Sequence, residues 1–231
     1  MSRLPLFAGL VILALGTAPA SATVYDAFSD FSIASNPNGP WGYGYGRPGV
    51  SYTPMPDSTP SFFGPDEPGW FLGNSPFLVP LAIANRTGAI LTSTTISVPA
   101  NTMFVHPGND DAQAAIVRFV APEAGHYNYN VVFTRVDTAD GFDTGAGVTI
   151  YDGNAVLFAR ALVPLTYGAT VSASGSIELA ANEVLSFVVD RNGSYFFDST
   201  GFSAQITVPE PTSFGILGVG LFGLKLFRRR R

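Results

Sequence analysis

The stretch 114-AAIVRFVAPEAGHYNYNVVFTR-135 decides the fold class. In its second half, Tyr127, Tyr129, Val131 and Phe133 alternate with Asn128, Asn130 and Thr134. A strand turns successive side chains to opposite faces, so a period of two marks a half-buried antiparallel strand over His126 to Arg135. The first half, Ala114 to Val120, reads as a second strand. Pro122-Glu123-Ala124-Gly125 supplies the turn between them.

Working outward, the same grammar repeats. Val148 to Tyr151 and Ala155 to Phe158 flank Asp152-Gly153-Asn154, a hairpin signal. Val171, Ala173, Ile177 and Leu179 alternate with Ser172, Ser174, Ser176 and Glu178, giving one dry face and one wet face. Val184 to Val189 follows a tight turn at Ala181-Asn182, and Phe202 to Val208 closes the series behind Tyr195-Phe196-Phe197-Asp198. Upstream, strands are expected at Thr23 to Ile33, Ile90 to Val98 and Thr102 to His106. Nine to ten strands with short connections predict an all-β body, a single antiparallel β-sandwich of jelly-roll-like form over residues 23–208. One segment breaks the rhythm. Residues 46–80 contain eight prolines and read as a long irregular loop, a feature that is usually functional or mobile. No internal repeat and no second domain are apparent.

The two ends have a different character. Met1-Ser2-Arg3 precedes an apolar run from Leu4 to Leu15, then Ala18-Pro19-Ala20-Ser21-Ala22. That order describes a signal peptide over 1–22, a helix passed to the Sec export machinery and cleaved before Thr23. At the other end, Pro209-Glu210-Pro211 precedes an apolar and glycine-rich run over 212–227, which as a short helix is marginal for crossing a bilayer. Arg228, Arg229, Arg230 and Arg231 close the chain and belong on the cytoplasmic side.

Pro-Glu-Pro, an apolar segment and an arginine cluster, in that order over residues 208–231, resemble the PEP-CTERM sorting tail of Gram-negative bacteria. The same tail is also described as an ice-binding protein C-terminal domain. The resemblance implies recognition by an exosortase, a membrane-embedded cysteine peptidase. It implies transient insertion in the inner membrane through 209–231, removal of the tail, and delivery to the cell surface or an extracellular polysaccharide matrix. Within the body, FSDFSIASNPNGPWGYGY (28–45), VHPG (105–108), AAIVRFVAPEAGHYNYNVVF (114–133) and the closing YFFDSTGFSAQITVPEP resemble a recurrent group of PEP-CTERM exported proteins. That likeness implies a sandwich similar to carbohydrate-binding modules, and no catalytic residues.

Composition narrows the partners. Residues 23–208 carry six arginines against sixteen acids, a net charge near −10. Nucleic acid is excluded as a partner, because binding it requires a basic patch that displaces phosphate counterions. With no cysteine in the chain, no disulfide braces the fold, and thiol catalysis and thiolate-bound metals are ruled out.

Five features invite a functional reading. Trp41, Tyr43 and Tyr45, separated by glycines, together with Trp70, compose a candidate sugar-stacking surface. The competing reading, which the alternation favours, is a strand that buries the three rings together. Asp137, Asp140 and Asp143 compose a candidate site for a structural Ca²⁺, against an ordinary solvated turn, with Asp198 open to the same two readings. His106 and His126 have no spaced partner and read as strand-end residues. Thr92-Ser93-Thr94-Thr95 is too short a run for an ice-binding array and reads as strand composition. No Gly-x-Ser-x-Gly, His-Glu-x-x-His, phosphate loop or dinucleotide fingerprint occurs. The body therefore reads as non-catalytic, structural, adhesive or polysaccharide-binding. A secreted polysaccharide-active enzyme and a permanently tail-anchored periplasmic protein are the alternatives.

Overall fold

The computed structural model describes residues 22–74, 76–139 and 144–209. Sixteen strands run through them. They are Thr23–Asp26 (β1), Trp41–Gly46 (β2), Thr53–Pro54 (β3), Asp57–Thr59 (β4), Gly69–Phe71 (β5), Leu81–Asn85 (β6), Leu91–Ser93 (β7) and Ile96–Val98 (β8). Thr102–His106 (β9), Ala114–Val120 (β10), Gly125–Arg135 (β11), Gly147–Asp152 (β12), Ala155–Leu162 (β13), Thr170–Leu179 (β14), Val184–Asp190 (β15) and Thr200–Val208 (β16) complete the set. Pro76–Leu78 forms a tight turn whose backbone is left-handed at Phe77 and Leu78, and no α-helix occurs among the described residues.

Two antiparallel sheets face each other. One runs β14-β11-β16-β9-β6-β5-β4, with β1 also paired to β16; the other runs β13-β12-β15-β10-β2-β3. From β9 onward the chain passes repeatedly between the sheets, the alternation expected of a jelly-roll-like sandwich. Between them, Trp41, Phe119 and Phe187 from one sheet meet Tyr127, Phe133 and Phe202 from the other. Their rings are tilted or edge-on: Trp41–Phe119 at 5.3 Å, Phe119–Tyr127 at 5.9 Å and Phe187–Phe202 at 5.5 Å between centroids. Such offset geometries suit the ring quadrupole, so the core gains direction as well as buried area.

The strands around the opening stretch form as the alternation predicts. In β11 Tyr127, Val131 and Phe133 are buried while Asn130 is exposed. In β14 the serines and Glu178 face water. Other expectations need correction. The strand expected over 23–33 ends at Asp26, whose carboxylate accepts the backbone N–H groups of Phe28 (3.1 Å) and Ser29 (2.9 Å) and turns the chain. The strand expected over 90–98 is a separate two-stranded hairpin, β7-β8, broken where Thr94 takes a φ of +51°. The segment 46–80 is not wholly irregular, because β3, β4 and β5 extend both sheets at their edges. Of the signal peptide expected over 1–22, residues 1–21 lie outside the described residues, as do residues 210–231, with the helices expected in them.

A second apolar layer covers part of the first sheet's outer face. Ala82, Ala84, Met103 and Val105 point into the main core, whereas Leu81, Ile83 and Phe104 point the other way. There Leu91, Val98, Val136 and Tyr195 pack on them. This layer positions the candidate site.

Candidate functional site

The second layer is not completely closed. Between the β7-β8 hairpin, the Pro76–Leu78 turn and the loop before β16 lies a cavity of about 410 Å³. Its floor is Leu81, Phe104 and Ile96. Aromatic rings crowd its rim. Phe63 is 40 % exposed, Phe196 49 % and Phe77 75 %. Isolated apolar residues on a surface are unremarkable, but several converging on one concavity mark a binding surface.

The rings are held in place by their neighbours. Phe63 stacks at 6.3 Å over Phe104, with 16° between ring planes. Phe62 meets Phe63 and Phe71 edge-on at 4.9 and 5.3 Å. Tyr195 lies 4.6 Å from Phe196 and 6.2 Å from His106. Four lining residues also hold a left-handed backbone: Phe77 (φ +61°), Leu78 (+57°), Thr94 (+51°) and Phe197 (+62°). For residues other than Gly, Asn or Asp this conformation is costly, and it persists where the surroundings impose it, often at functional sites.

One wall is polar. Ser93, Thr94 and Thr95 line it at the tip of the β7-β8 hairpin, with Asp137 behind them. Asp137 is buried, and both its oxygens are engaged. Oδ1 accepts from the Thr95 hydroxyl at 3.0 Å and Oδ2 from the Ser199 backbone N–H at 2.6 Å. His106 completes the wall, with Nδ1 2.6 Å from the Pro107 carbonyl oxygen.

The residues singled out from sequence fall elsewhere. Trp41 and Tyr43 are wholly buried, Trp70 nearly so, and Tyr45 is half-buried against the same core. The Trp41 indole N–H donates to Asp30 at 3.1 Å and that of Trp70 to the Ser32 carbonyl at 2.8 Å. These four rings are therefore placed in the core and not on an exposed stacking surface: β2 turns Trp41, Tyr43 and Tyr45 inward, and Trp70 of β5 packs into the same cluster. Of the acidic trio, Asp137 is spent on Thr95 and Ser199, while Asp140 and Asp143 lie outside the described residues. No group of three metal-binding side chains occurs among the described residues. Asp198 is buried at the turn into β16. His106 ends β9, and His126, second in β11, pairs with Glu178 at 2.8 Å. Of Thr92 to Thr95, Thr92 and Ser93 lie in strand β7 as expected, Thr94 and Thr95 form its turn, and Ser93 to Thr95 also line the cavity.

The glycines of β2 have their own consequence. Gly42, Gly44 and Gly46 face outward and leave a trough in which Tyr52 lies flat. A β-carbon on Gly44 would meet the Tyr52 ring (Cζ at 2.6 Å) and the Thr53 carbonyl oxygen at 2.5 Å. On top of Tyr52 rests the guanidinium of Arg118, 3.8 Å above the ring centroid. Burial pushes the Tyr52 hydroxyl up to about 12, and it lowers Arg118 from the usual arginine value. Sequence reasoning missed both residues. The outward glycines of WGYGYG were the signal that something large lies across that strand.

Comparison with known proteins agrees with the chain's end. Residues 207–231 match the PEP-CTERM protein-sorting motif. The chain thus carries a sorting signal whose presence implies an exported protein handled by an exosortase. Pro209 is the last described residue; Glu210, Pro211 and Arg228 to Arg231 lie beyond it. Among curated proteins nothing matches the chain. Solved structures similar to it include CBM51 from Clostridium perfringens GH95 in complex with methyl-galactose, at 12 % identity over 80 % of this chain and 99 % of that one, TM-score 0.36. A family 35 carbohydrate binding module from Clostridium thermocellum is 12 % identical over 54 % and 86 %, TM-score 0.30. The Podospora anserina GH26-CBM35 β-(1,4)-mannanase is 15 % identical over 57 % of this chain and 28 % of that one, TM-score 0.32, so the chain spans under a third of its length. At TM-scores below 0.5 these likenesses do not bear on what this chain binds.

Proposed function

We propose that this is an exosortase-sorted protein of the cell surface or extracellular matrix, whose sandwich holds polysaccharide without cleaving it. Export begins with the signal peptide and the Sec machinery. The 212–227 run then parks the chain in the inner membrane until the tail is removed. The observation that carries the binding role is the open cavity rimmed by Phe63, Phe77 and Phe196. Sugar rings present C–H faces that stack on flat aromatics, and hydroxyls at the hairpin tip with His106 offer donors and acceptors beside them. The body's negative charge favours neutral sugars in this cavity. The non-catalytic reading rests on Asp137. Glycoside hydrolysis uses two carboxylates across the scissile bond. Among the described lining residues Asp137 is the one carboxylate, and its oxygens are occupied.

The test is a pull-down of the purified protein on insoluble and matrix polysaccharides, paired with a reducing-end assay on the same material. Binding without release of reducing ends is expected. Phe77→Ala or Phe196→Ala, both on the open rim, should weaken binding by roughly 5- to 30-fold, the loss of about 1–2 kcal/mol of ring contact. Reducing-end release overturns the non-catalytic role. Unchanged binding in both variants overturns the assignment to this cavity.

A further inference from the structure

On the opposite sheet's outer face lies a second and smaller concavity, of about 130 Å³. It is built on one transverse row of the sheet. Arg118 of β10 sits opposite Gly42 of β2 on one side and Ser186 of β15 on the other, and Ser186 sits opposite Tyr151 of β12. All four are on paired strands. The arm between β2 and β3 folds over them, bringing Ser51 and Tyr52, and the β12-β13 turn adds Asn154.

Arg118 is unlike the other arginines of the body that have a partner. Arg160 grips Asp190 through two nitrogens at 2.8 and 2.6 Å, Arg191 meets Asp111 at 3.0 Å, and Arg86 and Arg135 donate to backbone carbonyls. Arg118 has its face on Tyr52, a buried Nε with no acceptor, and no carboxylate in the lining of its cavity. A stacked guanidinium is fixed in orientation, so its edge offers N–H donors at little entropic cost. The remaining polar lining, Ser51, Tyr151, Asn154 and Ser186, is neutral.

We propose that this concavity is a binding site for a carboxylate, held edge-on by Arg118 and flanked by the hydroxyl and amide groups of Ser51, Asn154 and Ser186. One cationic group balances one negative charge. A dianionic phosphate would stay half-compensated in a body already near −10. The volume suits one such group and the carbon that bears it, not a run of sugars. The carboxylate can belong to an acidic sugar or to the end of a peptide. This site is independent of the aromatic cavity, and neither reading needs the other.

The experiment titrates the purified protein with sodium glucuronate, N-acetylglycine, glucose and sodium sulfate at constant ionic strength, followed by the NMR signals of the arginine side chains and the Tyr52 ring. Saturable shifts with glucuronate or N-acetylglycine, and none with glucose, are expected; the tighter of the two identifies the source of the carboxylate. Arg118→Lys, which keeps the charge but loses the planar fork, should weaken binding at least about 10-fold, and Arg118→Gln should abolish it. Asn154→Ala, at an exposed turn, should weaken binding several-fold and serves if the Arg118 variants do not fold. Four results overturn the proposal: no carboxylate binding up to about 50 mM, equal binding in folded Arg118→Gln, an equal response to glucose, or a preference for sulfate. Failure here leaves neutral-polysaccharide binding at the Phe77 and Phe196 rim untouched, so the two readings fail separately.

Discussion

Gly44→Ala should destabilise the protein although it adds one methyl group to the outside of a sheet. Replacing a strand glycine by alanine ordinarily helps, by roughly 0.5–1 kcal/mol of backbone entropy. Here the new carbon would lie 2.6 Å from Cζ of Tyr52 and 2.5 Å from the Thr53 carbonyl oxygen, with further overlap on Tyr52 Cε2. Carbon atoms rest at about 3.5–4.0 Å, so the ring must retreat by about 1 Å. The carbonyl cannot easily follow. Gly44 pairs with Pro54 and Tyr45 with Thr53, and the Met55 N–H donates to the Tyr43 carbonyl at 3.0 Å. Overpacking of this kind costs about 1–3 kcal/mol. Lifting Tyr52 also strips Arg118 of its ring, worth about 1–2 kcal/mol when partly desolvated. Offset by the entropy gain, the net is about 2–3 kcal/mol. For a domain of this size that lowers the melting temperature by roughly 4–12 °C. Thermal and urea unfolding of parent, Gly44→Ala, Tyr52→Ala and the double variant would measure it. The Gly44→Ala penalty should shrink in the Tyr52→Ala background, as contacting residues are non-additive. A Gly44→Ala protein as stable as the parent, or penalties that simply add, would show that Tyr52 does not lie packed across Gly44.

Three further outcomes follow from the same structure. Asp137→Ala leaves the buried Ser199 N–H and the Thr95 hydroxyl without their acceptor and should cost about 2–4 kcal/mol, seen as a lower urea midpoint; an unchanged midpoint would show that Asp137 does not hold the hairpin tip to the β16 turn. Tyr52 is held neutral up to about 12, and Tyr43 is raised as well, whereas an unfolded tyrosine ionises near 10. Stability is therefore full below about pH 10 and falls between 10 and 12 by ~1.4 kcal/mol per pH unit for each such tyrosine. Tyr52→Phe should make that fall shallower, and an identical slope in urea unfolding from pH 9 to 11 would contradict it. Glu178→Gln breaks only the exposed pair with His126 and should shift the melting temperature by less than about 2 °C; a larger loss would give that pair a structural role.

Much of the sandwich was legible because β10, β11, β12, β14, β15 and β16 each bury one face or fill a continuous run, and a period of two survives in the letters. The strand β6 was not. Leu81–Asn85 is buried throughout: Ala82 and Ala84 face the main core while Leu81 and Ile83 face the second layer. A strand dry on both sides shows no alternation. The short strands β3, β4 and β5 hid among prolines; Pro54 itself lies in β3, at the edge of its sheet, where proline is tolerated. The aromatic cavity was visible only in fragments. The proline-rich segment and Tyr195-Phe196-Phe197-Asp198 stood out. Yet only the pairing β5-β6-β9-β16 brings Phe63, Phe77, Thr95, His106 and Phe196 together, and no local pattern encodes that order. In β2 the rings of Trp41, Tyr43 and Tyr45 drew attention, while the chemistry accumulated on the glycine side, where Tyr52 carries Arg118.

The claim that joins these parts is that the tail is an address and the sandwich is what is delivered. Mass spectrometry of both termini, on protein purified from its native host, tests it most directly. The expected mature chain begins at or near Thr23 and stops near Pro209-Glu210-Pro211, with residues 212–231 absent. A mature chain that still carries Arg228 to Arg231 would contradict it and leave the sandwich as a domain permanently tethered to the inner membrane.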